Sequence, residues 1–238
     1  MSLKPKLLEM LRSARDEQVA FVSNLSDAER ARAGTLECWS AKDIVAHNAE
    51  WDARMAQSLS PGADTPPPAG DEDVNRLNDE MFEVHAAEPW TAVLDLADRA
   101  FGSLYQRVAL MDDEELQAPV RMTSQDERPA WRGIAGNGYS HPLIHLAQCY
   151  LESGDLARSA LLEETMMQAM SELDDSPSWQ GTVIYNMACY HAIAGQAERA
   201  IAGLRRALQL NPDLTAWSKE DPDFESVRNR PDYLAIYS

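Results

Sequence analysis

Hydrophobic residues recur along most of the chain at the three- and four-residue intervals of an amphipathic helix. Over residues 4–24, leucine, valine and phenylalanine side chains at this spacing predict one apolar helix face. The same pattern predicts further helices at about residues 40–59, 73–86, 89–111, 139–152 and 155–173. No segment alternates apolar and polar residues as a half-buried strand does, so the pattern predicts an all-α protein.

Local motifs indicate where helices begin and where loops connect them. The segments Ser26–Glu29 and Ser40–Asp43 have the spacing of a capping box and predict two helix starts. Residues 60–72 are rich in proline and predict a loop, and the prolines and glycines within residues 117–137 predict a long irregular connection. Long helices joined in this way predict a four-helix bundle over residues 1–173.

The last part of the chain has a different pattern. From Ile184 onward, small residues at regular positions, Gly195 between two helices and Pro212 after the second match the spacing of a tetratricopeptide repeat. The small residues are Ala188, Ala200 and Ala207. One repeat cannot bury its own apolar face, so we predict that residues 174–238 form a helical hairpin that contacts the bundle, a protein partner or a second copy in a homodimer.

Composition excludes several partners. The formal net charge of −18 over 238 residues repels phosphate groups, so nucleic acids and anionic membrane surfaces are not expected partners. No run of about 18 apolar residues predicts a membrane span. The three cysteines are odd in number and form no CxxC motif, which disfavours a disulfide framework and favours a cytoplasmic location.

Three of the five histidines indicate a metal site. His47 lies on one predicted helix, and His141 and His145 form an H-x3-H pair at the start of another. Residues four apart share a helix face, and neutral imidazole is the commonest protein ligand for divalent transition metals. Two ligands from one turn and a third from a facing helix leave positions open for water or substrate. We therefore predict a site for Zn²⁺, Ni²⁺, Fe²⁺ or Mn²⁺.

The segment CWSAKDIVAH, residues 38–47, resembles the W-[ST]-x-[KR]-D-[ILV]-x-x-H signature of the DinB/YfiT-like superfamily of metalloenzymes. Trp51 and Asp52 extend it as in the branch that includes the colibactin self-protection protein. The resemblance covers about residues 5–155. It implies a helical bundle with a three-histidine metal site, which some members use for thiol transfer or isomerisation. The self-protection branch opens a reactive ring and implies chemistry without a metal.

Side chains near the histidines have two interpretations each. Asp43 either orients His47 or caps the helix, and Trp51 either walls a substrate pocket or fills the core. Asp52 and Tyr139 are candidates for proton transfer, whereas an exposed Asp52 would be a simple surface charge. Cys149 follows His145 by one turn, so it is either a further ligand or a small buried side chain.

Three functional hypotheses follow from the sequence. The first is a metal-dependent hydrolase or thiol transferase that acts on a small electrophile, with the metal on His47, His141 and His145. The second is a non-catalytic interaction protein that binds a partner through the C-terminal hairpin. The third is a metal-independent self-resistance hydrolase with Trp51, Asp52 and Tyr139 around its pocket. No GxGxxG, P-loop, GxSxG or HExxH motif indicates another chemistry.

Overall fold

The fold is all-α with one short β-hairpin. A computed structural model describes residues 3–60, 62, 68–123 and 126–237. In the first part of the chain the helices are α1 Leu3–Asn24, α2 Asp27–Ala31, α3 Ala41–Ser58, α4 Asp71–His85, α5 Trp90–Leu110, α6 Asp113–Gln117, α7 Ala130–Ala135 and α8 His141–Glu152. Residues 61 and 63–67 of the predicted loop at residues 60–72 lie outside the described residues. No helix within the described ranges has the length and apolar character that crossing a membrane would require.

Four helical segments form a bundle, as the spacing of apolar residues predicts. Helices α1, α3 and α5 pack together with the helical segment at residues 130–152, and α4 packs on the outside of α3. Each helix contributes its apolar stripe to the interior, where Leu7, Val45, Val93, Leu104 and Leu146 are fully buried. This packing brings α3 and α8, which are far apart in sequence, to one end of the same core.

The predicted capping boxes at α2 and α3 are both confirmed. At α3, the Ser40 hydroxyl accepts from the Asp43 amide, and the Asp43 carboxylate accepts from the Ser40 amide at 2.8 Å. The preceding loop approaches this cap closely at Gly34, where a Cβ atom would lie 1.9 Å from Asp43 Oδ2. Only glycine fits there without displacing the cap, so the start of α3 is fixed on both sides.

The prediction of no strand and of an irregular connection over residues 117–137 is wrong. Strands Pro119–Thr123 (β1) and Asp126–Pro129 (β2) pair antiparallel, and α7 follows directly. Strands of five and four residues are too short for a clear period of two to emerge from the sequence. In α7, Trp131 and Ile134 are buried, which anchors this segment to the bundle.

Helical backbone also continues further upstream of the histidine pair than the sequence predicted. A π-helical turn, Gly136–Ser140, joins α7 to α8, and the His141 amide donates to the Gly136 carbonyl. The wider turn precedes Pro142, which has no amide hydrogen and whose ring would clash with the carbonyl four residues earlier in a regular helix. Pro142 is therefore accommodated inside a long helical segment, not at its first turn.

The chain divides into two compact units after Cys149, and the second unit contains a helical hairpin. Its helices are α9 Leu156–Ser171, α10 Pro177–Ile193, α11 Ala197–Leu210, α12 Thr215–Ser218 and α13 Pro231–Leu234. Helices α10 and α11 pack closely, since a Cβ atom at Gly203 would lie 3.1 Å from Ala188 Cβ. The description as a tetratricopeptide-like repeat and the domain boundary between residues 173 and 174 stay predictions.

The two turns that the sequence marks with glycine have the same conformation. Gly154 and Gly195 have φ angles of +86° and +72°, which an L side chain rarely adopts. In each turn the residue after the glycine donates to a carbonyl five residues back, at 2.8 Å for both Asp155 and Gln196. Helices α8 and α10 therefore end in the same way.

Candidate metal centre

The three predicted histidines converge at one point. His47 lies in the second turn of α3, and His141 and His145 lie one turn apart at the start of α8. The Nε2 atom of His141 is 3.1 Å from Nε2 of His47 and 3.2 Å from Nε2 of His145. The ring centroids are 4.7 to 5.0 Å apart. The convergence follows from the bundle, which places α3 against the helical segment at residues 136–152.

The spacing of these nitrogens fits a metal ion better than a hydrogen-bonded cluster. Two nitrogen ligands of a tetrahedral zinc ion, with bonds of about 2.0–2.1 Å, lie roughly 3.3 Å apart. The Nε2 atom of His141 carries either one hydrogen or one lone pair, so it cannot make a full hydrogen bond to both neighbours. A cation at this point would accept a lone pair from each ring at once. The residues present therefore fit a divalent transition metal.

Burial keeps the three imidazoles neutral, which leaves their lone pairs available. Burial and the neighbouring His145 lower the pKa of His47 to about 3. Burial lowers the pKa of His145 to about 4, against a hydrogen bond with Gln148 that raises it. The pKa of His141 is also well below its usual value, because of burial first and then the other two rings.

The other ring nitrogens show how these rings are held. Nδ1 of His47 and of His141 is buried and makes no hydrogen bond to the part of the chain that the structure describes. Metal-ligating histidines usually donate the second ring N–H to an acceptor. Ring orientation here comes mainly from packing, since the Trp39 ring lies 4.7 Å from His47 and 6.4 Å from His145, measured between centroids.

The histidines face an open cavity of about 510 Å³, a size that suits a small molecule. Trp39 and Trp51 form apolar walls beside His47, and α4 contributes Val74 and Asn78 from the other side. All the described residues that line it belong to the first unit. Of the two interpretations of Trp51, the pocket wall is the one that this geometry supports.

Trp51 is fixed by polar contacts on two sides. Its indole N–H donates to Asn78 Oδ1 at 3.0 Å, which connects α3 to α4. Its backbone carbonyl accepts from Asn137 Nδ2 at 2.8 Å, which connects α3 to the π-helical turn. The asparagines themselves line the cavity, so the same side chains that hold the wall also present polar groups to a ligand.

The other predicted catalytic side chains lie outside the cavity lining. Tyr139 is buried, and burial raises its pKa to about 12. The Asp52 carboxylate has a buried, unpaired Oδ1 that would lie 3.7 Å from a Cβ atom on Gly138, on the core side of the π-helical turn. Burial raises the pKa of Asp52 to about 7, and the charge of Arg15 partly opposes this. Their roles in proton transfer stay predictions.

Asp43 and Cys149 also lie away from the ligand cluster. The Asp43 carboxylate caps α3 through the Ser40 amide and hydroxyl, as the capping interpretation of the sequence expects. Cys149 is half-buried and is not among the side chains that line the cavity, although its neighbour Gln148 is. A role of Cys149 as a further ligand stays a prediction.

Two cationic side chains of the cavity were missed in the sequence. Arg128 lies in β2 and Arg132 lies in α7, and both line the cavity. Neither was noticed because the segment at residues 117–137 was interpreted as an irregular loop. A signal was present, since three arginines lie within residues 121–132 of a strongly acidic chain.

Comparisons with known proteins place the first unit in a family. Residues 11–140, more than half of the chain, match the family described as the mycothiol maleylpyruvate isomerase N-terminal domain. Among solved structures, the chain is similar to a histidine-to-alanine variant of the mycothiol-dependent maleylpyruvate isomerase, with 17% identity and a TM-score of 0.50. The match covers 61% of this chain and 59% of that chain, and at this identity it shows the fold. No curated protein matches the sequence. The chain belongs to the family of the mycothiol maleylpyruvate isomerase N-terminal domain.

Proposed function

We propose that this protein is a metal-dependent enzyme that acts on a small electrophilic molecule. His47, His141 and His145 would hold a divalent transition metal, and the adjoining cavity would bind the substrate. The observation that carries the proposal is the convergence of three Nε2 atoms at the cavity, with separations of 3.1 and 3.2 Å. Membership of the isomerase family supports it.

The reaction class follows from the chemistry of such a site. A divalent cation on three neutral imidazoles would lower the pKa of a thiol or water bound beside it, which yields a nucleophile at neutral pH. Trp39 and Trp51 exclude bulk water from the wall next to His47. Asn78 and Asn137 hold this wall in place and orient polar groups of a ligand.

A small thiol is the nucleophile that we propose, because the matched family and the similar enzyme are both named for mycothiol. The product would be a thioether in a transferase, or a rearranged molecule from which the thiol leaves again in an isomerase. A hydrolase would use water in the same position. Activity that depends on added thiol would distinguish the first two from the third.

The metal content of purified protein tests the proposal. We expect about one equivalent of a transition metal per chain, and at least a tenfold lower content in a His47→Ala variant, because one of three ligands is lost. Inductively coupled plasma mass spectrometry measures both values and identifies the metal as zinc, nickel, iron or manganese.

His191→Gln is the matched control. His191 is buried in α10 of the second unit and belongs to no group of converging ligands among the described residues. Its substitution should leave the metal content unchanged. Equal and negligible metal in all three proteins would remove the proposal and favour the metal-independent hydrolase.

A role of the second unit in binding a protein partner or in dimerisation is a separate proposal. It rests on the close-packed hairpin of α10 and α11, which resembles an interaction repeat in its spacing. Light scattering of the full chain gives the mass in solution, and a monomer at all concentrations would exclude the homodimer. The cytoplasmic location stays a prediction.

A further inference from the structure

Side-chain amides form part of the cavity lining. Among the described residues, Asn78, Asn137 and Gln148 line it. A carboxamide has one end that only accepts hydrogen bonds and one end that only donates them. Asn78 and Asn137 each use one end to hold Trp51, so the other end is the one left for a ligand.

Trp51 decides which end of each amide is used. Its indole N–H can only donate, so the Asn78 atom that it meets at 3.0 Å is the carbonyl oxygen Oδ1. Its backbone carbonyl can only accept, so the Asn137 atom that it meets at 2.8 Å is the nitrogen Nδ2. Turning either amide over would place two donors or two acceptors against each other. The orientation of both amides is therefore fixed.

The remaining ends of the two amides have opposite roles. Asn78 is left with its Nδ2 donor and Asn137 with its Oδ1 acceptor, and neither atom bonds to the part of the chain that the structure describes. Both side chains are half-buried and line the cavity. Helix α4 thus presents one fixed donor, and the π-helical turn presents one fixed acceptor, with Trp51 linking the two.

We infer that Asn78 and Asn137 recognise an amide group of the bound molecule, whose carbonyl accepts from Asn78 and whose N–H donates to Asn137. The inference rests on the proposed function only in taking this cavity as the substrate site. A secondary amide carries both groups in one plane, and its flat face can pack on an indole ring. A ketone or an ester satisfies Asn78 alone and leaves the Asn137 oxygen against an apolar group, which costs affinity.

The recognition pair adjoins the candidate metal centre. The ring centroid of Trp51 lies 6.3 Å from that of His47 and 6.5 Å from that of His141. Because both asparagines bond to Trp51, a ligand amide between them lies close to the histidine cluster. The substrate class is therefore a small molecule whose amide is near its reacting group. Asn78 and Asn137 are specificity-determining residues, separate from the histidines that would hold the metal.

Three neutral probes of matched size test the inference. Acetanilide carries an N–H and a carbonyl, benzyl methyl ketone replaces the N–H by a methylene, and isobutylbenzene replaces both groups by hydrocarbon. Ligand-observed NMR titration gives a dissociation constant for each. The titrations use the protein as purified and again after chelation, so that a cation on the histidines cannot account for binding of the carbonyl. Isobutylbenzene measures apolar packing alone.

The Asn78→Asp variant removes the donor and keeps the wall. One carboxylate oxygen still accepts from the Trp51 indole, whereas the other replaces the cavity-facing NH₂ group. We expect a loss of roughly tenfold in affinity for acetanilide and for the ketone, because two acceptors would face each other, and no change for isobutylbenzene. Asn75→Asp is the matched control, since it places the same charge on an exposed position of α4 outside the lining. It should change none of the three affinities.

The Asn137→Ala variant separates recognition from support of the wall. Loss of the acceptor should weaken acetanilide by roughly threefold or more and leave the ketone and the hydrocarbon unchanged. An equal loss for all three probes would overturn the inference, because Asn137 would then act only by holding Trp51.

Two further results would overturn the inference: no binding of acetanilide by the wild-type protein, and unchanged acetanilide affinity in a folded Asn78→Asp variant. If that variant does not fold, the wild-type protein still decides. The side-chain NH₂ resonance of Asn78 in ¹⁵N-labelled protein must move further downfield with acetanilide and the ketone than with isobutylbenzene. Metal content, measured separately, shows whether the proposed function fails independently of this inference.

Discussion

Two groups of side chains in the described part of the chain each bring three potential metal ligands within 4.8 Å of one another. The first is the histidine cluster of the first unit, formed by His47, His141 and His145. The second, in the second unit, consists of Cys189, Asp221 and Asp223. By proximity alone the two groups are equivalent, but the bonds that their atoms already make are different.

In the second group the ligand atoms have structural partners. Asp221 Oδ2 accepts from the Tyr185 hydroxyl at 2.6 Å, and Oδ1 accepts from the Asp223 amide at 3.0 Å at the start of a 3₁₀ turn. Burial and the carboxylates of Asp221 and Asp223 raise the pKa of the Cys189 thiol, which keeps it protonated. The Arg228 guanidinium adds a bond to the Asp221 carbonyl at 2.6 Å. This group fastens the end of the chain to α10.

In the histidine cluster the Nε2 atoms contact one another and face a cavity instead. The comparison teaches that three close donors indicate a metal site only where their lone pairs remain available. Neutral imidazoles in a cavity meet this condition, whereas a protonated thiol and a carboxylate that caps a turn do not.

The metal content per chain is the measurement with the largest expected effect. It tests directly whether the histidine cluster binds a metal and the second group does not. We expect about one equivalent of metal per chain, a loss of at least tenfold in His145→Ala, and no change in Cys189→Ala. Elemental analysis of the three proteins measures this. Two equivalents in the wild-type protein, with one lost from the cysteine variant, would make the second group a metal site as well.

The second group should instead contribute to stability. Asp221→Ala removes the hydrogen bond from the buried Tyr185 hydroxyl and the capping bond from the Asp223 amide, so we expect a loss of about 2–4 kcal/mol in the free energy of unfolding. Urea denaturation measures it, with metal content unchanged. A loss below 0.5 kcal/mol would contradict the structural role.

A histidine outside the histidine cluster gives the smallest effect and a control for histidine chemistry. His85 is buried and bonds to Glu88 through Nδ1 at 2.7 Å and to Glu50 through Nε2 at 2.9 Å, while Lys42 donates to the carbonyls of His85, Ala86 and Glu88. Burial lowers the pKa of His85, but the two carboxylates outweigh it and the net shift is upward.

The sign of the pH dependence follows from this upward shift. The stability that protonated His85 contributes is fully present below its unfolded pKa of about 6.5 and is lost as the pH rises through the higher folded value. We expect the free energy of unfolding, obtained from thermal denaturation, to decrease by up to about 1 kcal/mol between pH 6 and pH 9. The His85→Gln variant should show no such decrease. Parallel pH profiles of the two proteins would show that the ion pairs contribute nothing.

The elements that could be predicted from the sequence are those whose signals are local. The capping residues Ser26 and Ser40 and the turn glycines Gly154 and Gly195 act on backbone groups within a few residues, so they mark the same boundaries in the structure. The histidines were found because residue type and the i,i+4 spacing of His141 and His145 are visible without the fold.

The elements that were missed depend on distant contacts. The β-hairpin is too short to show a period, and the burial of Trp131 depends on the bundle around it. The positions of Arg128 and Arg132 at the cavity follow from that burial. The roles of Asp52 and Tyr139 could not be judged from sequence, because whether a side chain on a helix faces a pocket or the core depends on which helix packs against it.

The sequence by itself determined a mainly α-helical chain, most of its helix boundaries and the identity of the three imidazoles, because helical periodicity and capping are short-range properties of the backbone. Only the tertiary structure decided that His47 meets His141 and His145, that two arginines line the same cavity, and that Asp221 has its oxygens occupied. These are contacts between residues tens of positions apart, and they exist only when apolar faces pack in one arrangement.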